Sequence, residues 1–452
     1  MFQQDAGQLS LGFFAHRPVV VQRHPGQLSS DAGLLPIREF DERRQYTRRM
    51  AAGLSDARID PDHTAISMLR QRLYGILADY EDCNDHDALR HDPIFKLLAG
   101  KLPTDDPLAA QPTLSRFENA VTIPALWNLL DFLVGTGIER LRDHHGGTLP
   151  DSLVLDMDPT DDTTHGHQQL SLFHGYYEQH QYFPIIISEP TTKHIFYAHL
   201  RPGAVHAALG AEENLLFVVE RLRQARPDLA IHARGDSGFG VPWMYEVCEK
   251  NGISYTFGIA GNSRLQAYAQ GLMNQAKAQY EQTGEKQRLF TAFSYRAESW
   301  DRYRTIIAKA EYGAQGPNLR FIVTSLPVTS IDDPQRRYDD YVQRGESEQR
   351  MDELKNGLHM DRLSCHRFLA NFWRLLLHTA AYNLLNAVRD HAEIPEELRR
   401  AQPATWRSKL IKVAAAVIVT TRRVLVQLAG HWPFADFYHA VVRRVQAMPA
   451  GP

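Results

Sequence analysis

Four residues near position 350 fall on one stripe if their segment is helical: Tyr341, Arg344, Glu348 and Lys355. At about 100° per residue they span an arc of roughly 60°, so one face carries an acid with two cations and a phenol beside it. Two more acids end β-type runs upstream, Asp158 in LVLDMDPT and Asp236 in AIHARGDSGFG. Carboxylates aimed from the ends of rigid elements are hard oxygen donors, suited to a pair of divalent ions about 4 Å apart. Such a pair activates an oxygen nucleophile and stabilises a leaving oxygen, the two needs of phosphodiester cleavage. Asp156 alternates onto the same strand face as Asp158, so the residues alone leave both open as the first acid. A single strand-end aspartate is more often a turn residue, and a lone charged stripe is more often a solvated face. The conjunction of three acids and a basic stripe is what points to chemistry.

The elements that must position these residues follow from apolar periodicity. Helical patterns run through AISMLRQRLYGILADY, DPIFKLLAG and IPALWNLLDFLVGTGIERL, with Ser115 expected as an N-cap completed by Glu118. From Ser152 the pattern changes to a strand in LVLDMD and a two-strand hairpin in YFPIIISEPTTKHIFYAHL. A helix, a strand ending at Asp236, a second helix and a strand in SYTFGI come next. Three strands followed by helix, strand, helix, strand is the order of an RNase H-like sheet. There the first and fourth strands are neighbours, so Asp158 and Asp236 should meet.

The expected fold is therefore α/β: an RNase H-like mixed sheet as catalytic core, a β-rich insertion, and helical N- and C-terminal regions. The boundaries expected are an N-terminal arm and helical region over 1–145 and a first core part over 146–261. A separate β-rich insertion over 262–335, closing core helices with Glu348 over 336–390 and a basic helical region over 391–452 complete the chain. The apolar segment FLANFWRLLLHTAAYNLLNAV should be buried nearly all round.

Bulk properties set limits. A chain of 452 residues should split into two or three domains, and 43% hydrophobic with 23% charged residues is an ordinary globular composition. The formal net charge of −3 excludes a uniformly basic nucleic-acid binder. Charge is unevenly spread, however: residues 399–445 hold nine Lys or Arg against Asp436 alone, a local +8. That tail is either a solvated face or a track for a phosphate backbone. Eight Arg and no Lys stand before position 61, in what reads as a loop-rich arm that either contacts phosphate and guanine or forms ordinary ion pairs. Three scattered cysteines make no disulfide framework or zinc site. The start lacks a signal-peptide pattern and no apolar run is long enough for a bilayer, so a soluble cytoplasmic protein without membrane contact is expected.

Other motifs weaken on inspection. GDSG at 235–238 echoes a serine-protease nucleophile, but Phe239 follows and the supporting disulfides are missing. DYEDCNDHD lacks the glycine and terminal glutamate of a calcium loop. His165 and His167 have no partner at zinc spacing.

The spacing Tyr-x2-Arg-x3-Glu-x6-Lys is similar to the YREK signature of bacterial DDE transposases. The chain resembles that branch of insertion-sequence transposases, specifically the group numbered thirteen-eighty. Segments YEDCNDHDALRHDP (80–93), QPTLSRFENA (111–120), LDMDPTDDTTHGHQ (155–168), LRPGAVHA (200–207), RGDSGFG (234–240) and YVQRGESEQRMDELK (341–355) carry the likeness. The resemblance implies Asp158, Asp236 and Glu348 as catalytic, metal-binding acids, with Asp158 favoured over Asp156 because Pro159 and Thr160 follow it as in the family. It implies Mg²⁺, with Mn²⁺ as a substitute, Tyr341, Arg344 and Lys355 contacting phosphates, and the 1–145 arm and helical region as the DNA-end-binding part. Trp300 is placed with the DNA contacts as a ring that stacks on an unpaired base, against the competing reading of a core tryptophan.

The implied activity is nicking at inverted terminal repeats and joining of the 3′-hydroxyl to target DNA by a homodimer on a bacterial nucleoid. An inactive DNA-binding relic, or a repair or junction nuclease of the same fold, is the rival.

Overall fold

The computed structural model describes residues 8–13, 17, 19–54, 56, 58–391, 396–399 and 401–448. Its N-terminal part is helical. Thr64 caps α1 (Ala65–Leu77) by accepting from the Ser67 amide. Helix α2 (Gln111–Asn119) starts with Pro112 in its first turn, and Thr122 caps α3 (Ile123–His144) by accepting from the Ala125 amide. Ser115, expected as a cap, lies inside α2 after the true N-cap at Ala110. Pro112, which needs no amide partner, sits in the first turn of a helix whose cap lies five residues earlier than Ser115 suggested.

The middle of the chain builds one eight-stranded mixed sheet. It begins with β1 (Ser152–Pro159), β2 (Ile185–Ser188) and β3 (Ile195–His199). Helix α4 (Ala211–Ala225) leads to β4 (Ala230–Gly235), then α5 (Pro242–Lys250) to β5 (Ser254–Ile259). Helix α6 (Ser263–Thr283) precedes β6 (Gln287–Tyr295), β7 (Arg304–Gly313) and β8 (Gly316–Thr324). The spatial order is β6-β7-β8-β5-β4-β1-β2-β3. The pairs β1–β4 and β4–β5 are parallel and the rest antiparallel. Strand β2 (IIIS) is buried at every position, as expected of a sheet covered on both faces.

Three further helices, α7 (Asp333–Val342), α8 (Gly345–Asp352) and α9 (Phe368–His391), follow. Helix α9 is buried, and its Asn383 closes the sheet edge: Oδ1 accepts from Ile195 N and Nδ2 donates to Ile195 O, both at 2.9 Å. A side-chain amide thus stands in for a ninth strand. Helix α3 packs on β3 at Gly137, where an added Cβ would come within 2.5 Å of the Phe196 ring.

Three expectations about organisation change. Residues 262–335 do supply strands, but β8 pairs with β5, so they extend the main sheet instead of forming a separate insertion sheet. Strand β8 has an exposed partner edge in β5 to join, and pairing there satisfies both backbones. The basic C-terminal region is not simply helical: Ala415–Val419 and Val424–Leu428 form a hairpin that pairs with Gln27–Ser29 near the N-terminus. The N-terminal arm holds helices Leu34–Arg44 and Tyr46–Ala52. Several of its arginines form ion pairs within the chain, as in Arg38–Glu42, Arg44–Asp143 and Arg49–Glu139, each at 2.7 Å. Among the described residues no single helix is long and apolar enough to cross a membrane.

Candidate active site

Strands β1 and β4 run parallel with Gly235 opposite Met157 and Arg234 opposite Asp156. One residue further, Asp236 stands beside Asp158 at the C-terminal edge of the two central strands. Side chains repeat every second residue, so Asp158 shares a face with Asp156, and Asp236 with Arg234. The β5 glycine, Gly258, makes room there: an added Cβ would lie 2.8 Å from both the Ser237 amide nitrogen and the Tyr341 hydroxyl. Asp236 Oδ1 accepts from the Gly238 amide at 2.8 Å, which fixes the turn carrying it.

The two aspartates of β1 have different surroundings. Asp156 is fully buried and gripped by two guanidiniums, Arg234 at 2.7 and 3.0 Å and Arg350 at 2.7 Å. All its charge is answered inside the protein. Asp158 is also buried, but only Oδ1 is engaged, by Arg344 Nη1 at 2.6 Å; Oδ2 makes no well-formed hydrogen bond. Burial pushes the Asp158 carboxyl up to about 6, partly opposed by the Arg344 charge. Arg344 is held more firmly protonated than usual: burial opposes its charge, but Asp158 and the Tyr341 phenol outweigh that.

The four-residue stripe is not carried by one regular helix. Helix α7 ends at Val342 and α8 begins at Gly345, joined by tight turns in which Arg344 N bonds to Tyr341 O at 3.0 Å and Ser347 N to Arg344 O at 2.7 Å. Lys355 then sits in a wide π-turn, Glu353–Gly357. Gly345 and the two turn types shift the phase that a uniform helix would give. The residues still gather at the sheet edge. Arg344 lies over the Tyr341 ring at 5.7 Å and reaches Glu348 at 4.0 Å while holding Asp158. Glu348 is 77% exposed on its side chain, open to a ligand or substrate. Lys355 Nζ binds Asp161 Oδ1 at 2.9 Å.

Trp300 does not join them. It is 4% exposed, packed edge-on against Tyr245 and Tyr295 with Arg304 over its ring, so the core reading holds and no face is left for a base. Apolar area on that scale is worth more inside than out. Asp161, Arg234 and Arg350 are the participants not singled out from sequence. Arg234 had a signal: it precedes Asp236 by two, as Asp156 precedes Asp158, so adjacent parallel strands set it opposite Asp156.

The donor set suits a divalent cation: carboxylate oxygens only, one of them the buried, unpartnered Asp158 Oδ2, and an exposed Glu348. Arg344 holds Asp158 at 2.6 Å and reaches Glu348 at 4.0 Å, and among the described residues Asp158, Asp236 and Glu348 do not form a set whose ligand atoms all lie within 4.8 Å of one another. Among the described residues, Asp79, Glu81 and His359 do hold ligand atoms within 4.8 Å of one another. Arg407 pairs with that Asp79 at 2.7 Å and Arg362 with Glu81 at 2.5 Å, so cations already answer their charge.

The family model for the transposase DDE domain, group 1, matches residues 12–450, and the chain belongs to that family. Among solved structures, a piggyBac transposase synaptic complex with hairpin DNA aligns over 85% of this chain and 80% of that one, at 10% identity and a TM-score of 0.42. A likeness that slight carries no weight for fold or function. No curated protein matches the chain.

Proposed function

We propose that this chain is a DNA transposase that nicks DNA at the ends of an insertion element and joins the freed 3′-hydroxyl to target DNA, on an RNase H-like core. Membership of the DDE family supports the class. The observation that carries the site is the β1–β4 register, with Asp236 one step past the Gly235–Met157 pair and so level with Asp158. The sheet order β3-β2-β1-β4-β5 within the larger sheet supports the RNase H-like reading.

Asp158, Asp236 and Glu348 would hold Mg²⁺, or Mn²⁺ in its stead. Bound there, the ions would supply charge to offset the negative charge that builds on the phosphodiester oxygens. The chain's own groups do the rest. Arg344 and Lys355 are cations at the mouth of the site, each now paired with an aspartate and each able to take a phosphate oxygen instead. Tyr341, wedged against Gly258, orients Arg344 through its ring. The DNA partners are inverted terminal repeats and target duplex, brought together by two copies of the chain.

An Mg²⁺-dependent nicking assay on a duplex carrying the repeats that bracket the reading frame tests this. Glu348→Gln and Asp236→Asn are expected to lower nicking by about a hundredfold or more while end binding in a gel-shift assay persists. Either variant cutting at the wild-type rate would overturn the assignment.

A further inference from the structure

Ahead of its helices the chain forms a two-stranded antiparallel ribbon, Leu9–Leu11 on Val19–Val21. The ribbon pairs with no other strand among the described residues, and Gln8 Nε2 donates to Gln22 Oε1 at 2.7 Å across one end of it. Residues directly opposite in such a pair share a face. Leu9 faces Val21 and Leu11 faces Val19, so these four aliphatic side chains stand on one side, with Ser10 and Val20 on the other. Leu9 is 67% and Val21 47% exposed, and Leu11 is exposed as well. A lone two-stranded ribbon is marginal in water, and an uncovered apolar face adds to that cost.

The small sheet of Gln27–Ser29 and the C-terminal hairpin carries a matching surface. Its inner face, with Ser29, Ala415 and Val417, is buried. Its outer face sets Leu28 opposite Ala416 and Ile418 opposite Leu425. There Leu28 is 50% and Ile418 45% exposed. Those four residues carry no charge, and neither do the six residues of the ribbon strands. Two uncharged aliphatic faces suit each other, whereas a phosphate backbone is gripped through Lys and Arg. Residues 22–26 join the ribbon to the sheet, braced where the Gly26 amide donates to His24 Nδ1 at 3.0 Å. Held this way, the ribbon leaves the outer face of its own sheet open.

We propose that the ribbon of one copy lies, apolar face down, on the outer face of the three-stranded sheet of a second copy, and the reverse, so that two chains pair by exchanging arms. Every copy offers both surfaces, so one two-fold axis covers all four faces and leaves none over for a third chain. Face-to-face sheets pack about 10 Å apart with their side chains interdigitated, which this pair of aliphatic faces allows. The contact needs no DNA and does not rest on the transposase reading.

The test measures the mass of the full chain, free of DNA, by light scattering during gel filtration. Wild-type protein is expected to have the mass of two chains. Val21→Glu and Ile418→Lys each set a charge in the contact, and each variant alone should have the mass of one chain. Ser10→Glu, on the other face of the ribbon, should stay paired. These positions are exposed, so the circular dichroism of every variant should match wild type. Mixing the Val21→Glu chain with the Ile418→Lys chain should restore the mass of two chains. In that mixed pair the new acid meets the new base at one contact, and the other contact is unaltered. Wild-type protein with the mass of one chain overturns the exchange and leaves the ribbon to its own sheet or to another partner. A pair that survives both substitutions, or a mixture that stays at the mass of one chain, overturns it too.

Discussion

Asp156 and Asp158 sit two positions apart on one strand, yet substitution should affect stability and activity at the two in different proportion. Removing the Asp156 charge leaves Arg234 and Arg350 buried with no counter-charge, and breaking a buried pair by removing one partner costs about 3–5 kcal/mol. Asp156→Asn is therefore expected to lose that much in a denaturant titration, whatever its activity. Asp158 is strained in the other sense, its carboxyl raised by burial and half unpartnered. Asp158→Asn takes the close counter-charge from Arg344 but also removes a carboxylate that burial disfavours, so its stability loss should be clearly smaller than that of Asp156→Asn while nicking is lost. A denaturation midpoint that falls equally for both would contradict this division between a structural and a functional acid.

At the scale of elements, the site depends on how closely β5, the Asp236 turn and the α7–α8 junction approach. Gly258 permits that approach because the space a Cβ needs is filled by the Ser237 backbone and the Tyr341 hydroxyl. Gly258→Ala must push the turn or Tyr341 outward. The expected result is a stability loss of about 1–3 kcal/mol, as for other overpacked sites, with a larger proportional fall in nicking than in DNA binding. Thermal melting with parallel nicking and gel-shift assays would show it. An alanine variant of full activity would mean that the Tyr341 position does not matter. The broken helix has the same lesson: Gly345 and the π-turn at Glu353–Gly357 let Arg344 face Asp158 while Lys355 faces Asp161.

Across the whole molecule, the N-terminal helices and α9 are joined by a buried charge cluster. Glu118 of α2 takes Arg72 of α1 at 2.6 Å and Arg374 of α9 at 2.8 Å. Burial alone would raise the Glu118 carboxyl, but the two guanidiniums outweigh it and pull it down to about 2, from an ordinary value of 4.5. Because the folded value lies below the unfolded one, the ion cluster stabilises the fold fully above pH 4.5 and loses that contribution as pH falls towards 2. Such a depression corresponds to about 3 kcal/mol. Glu118→Gln should lower stability at pH 7 by a similar amount and flatten the acid limb between those pH values in urea titrations. An acid limb identical to wild type would show that other groups carry it. The N-terminal strand Gln27–Ser29 in the C-terminal hairpin and the Lys412–Asp31 pair at 2.7 Å tie the two ends of the chain together in the same way.

Local pattern in the sequence was enough for the order of main-sheet strands and helices from Ser152 to Ile259 and for the burial of α9, because periodicity is a property of neighbours along the chain. It missed the small sheet of Asp162–Thr163, Leu172–His174 and Gln179–Tyr182, and the motif spacing led only as far as the DDE transposase family. The adjacency of β1 and β4, whose register ends at the Gly235–Met157 pair one step before Asp236 and Asp158, was also legible from that order. Tertiary structure alone decided what was non-local. The 262–335 strands joined the main sheet because an open edge of β5 was there to pair with, and Trp300 turned inward because a ring pocket of Tyr245 and Tyr295 was there to receive it. Arg350 chose Asp156 over solvent, leaving Asp158 to Arg344, because packing distant segments sets which buried charges face one another. No spacing along the chain encodes that partition.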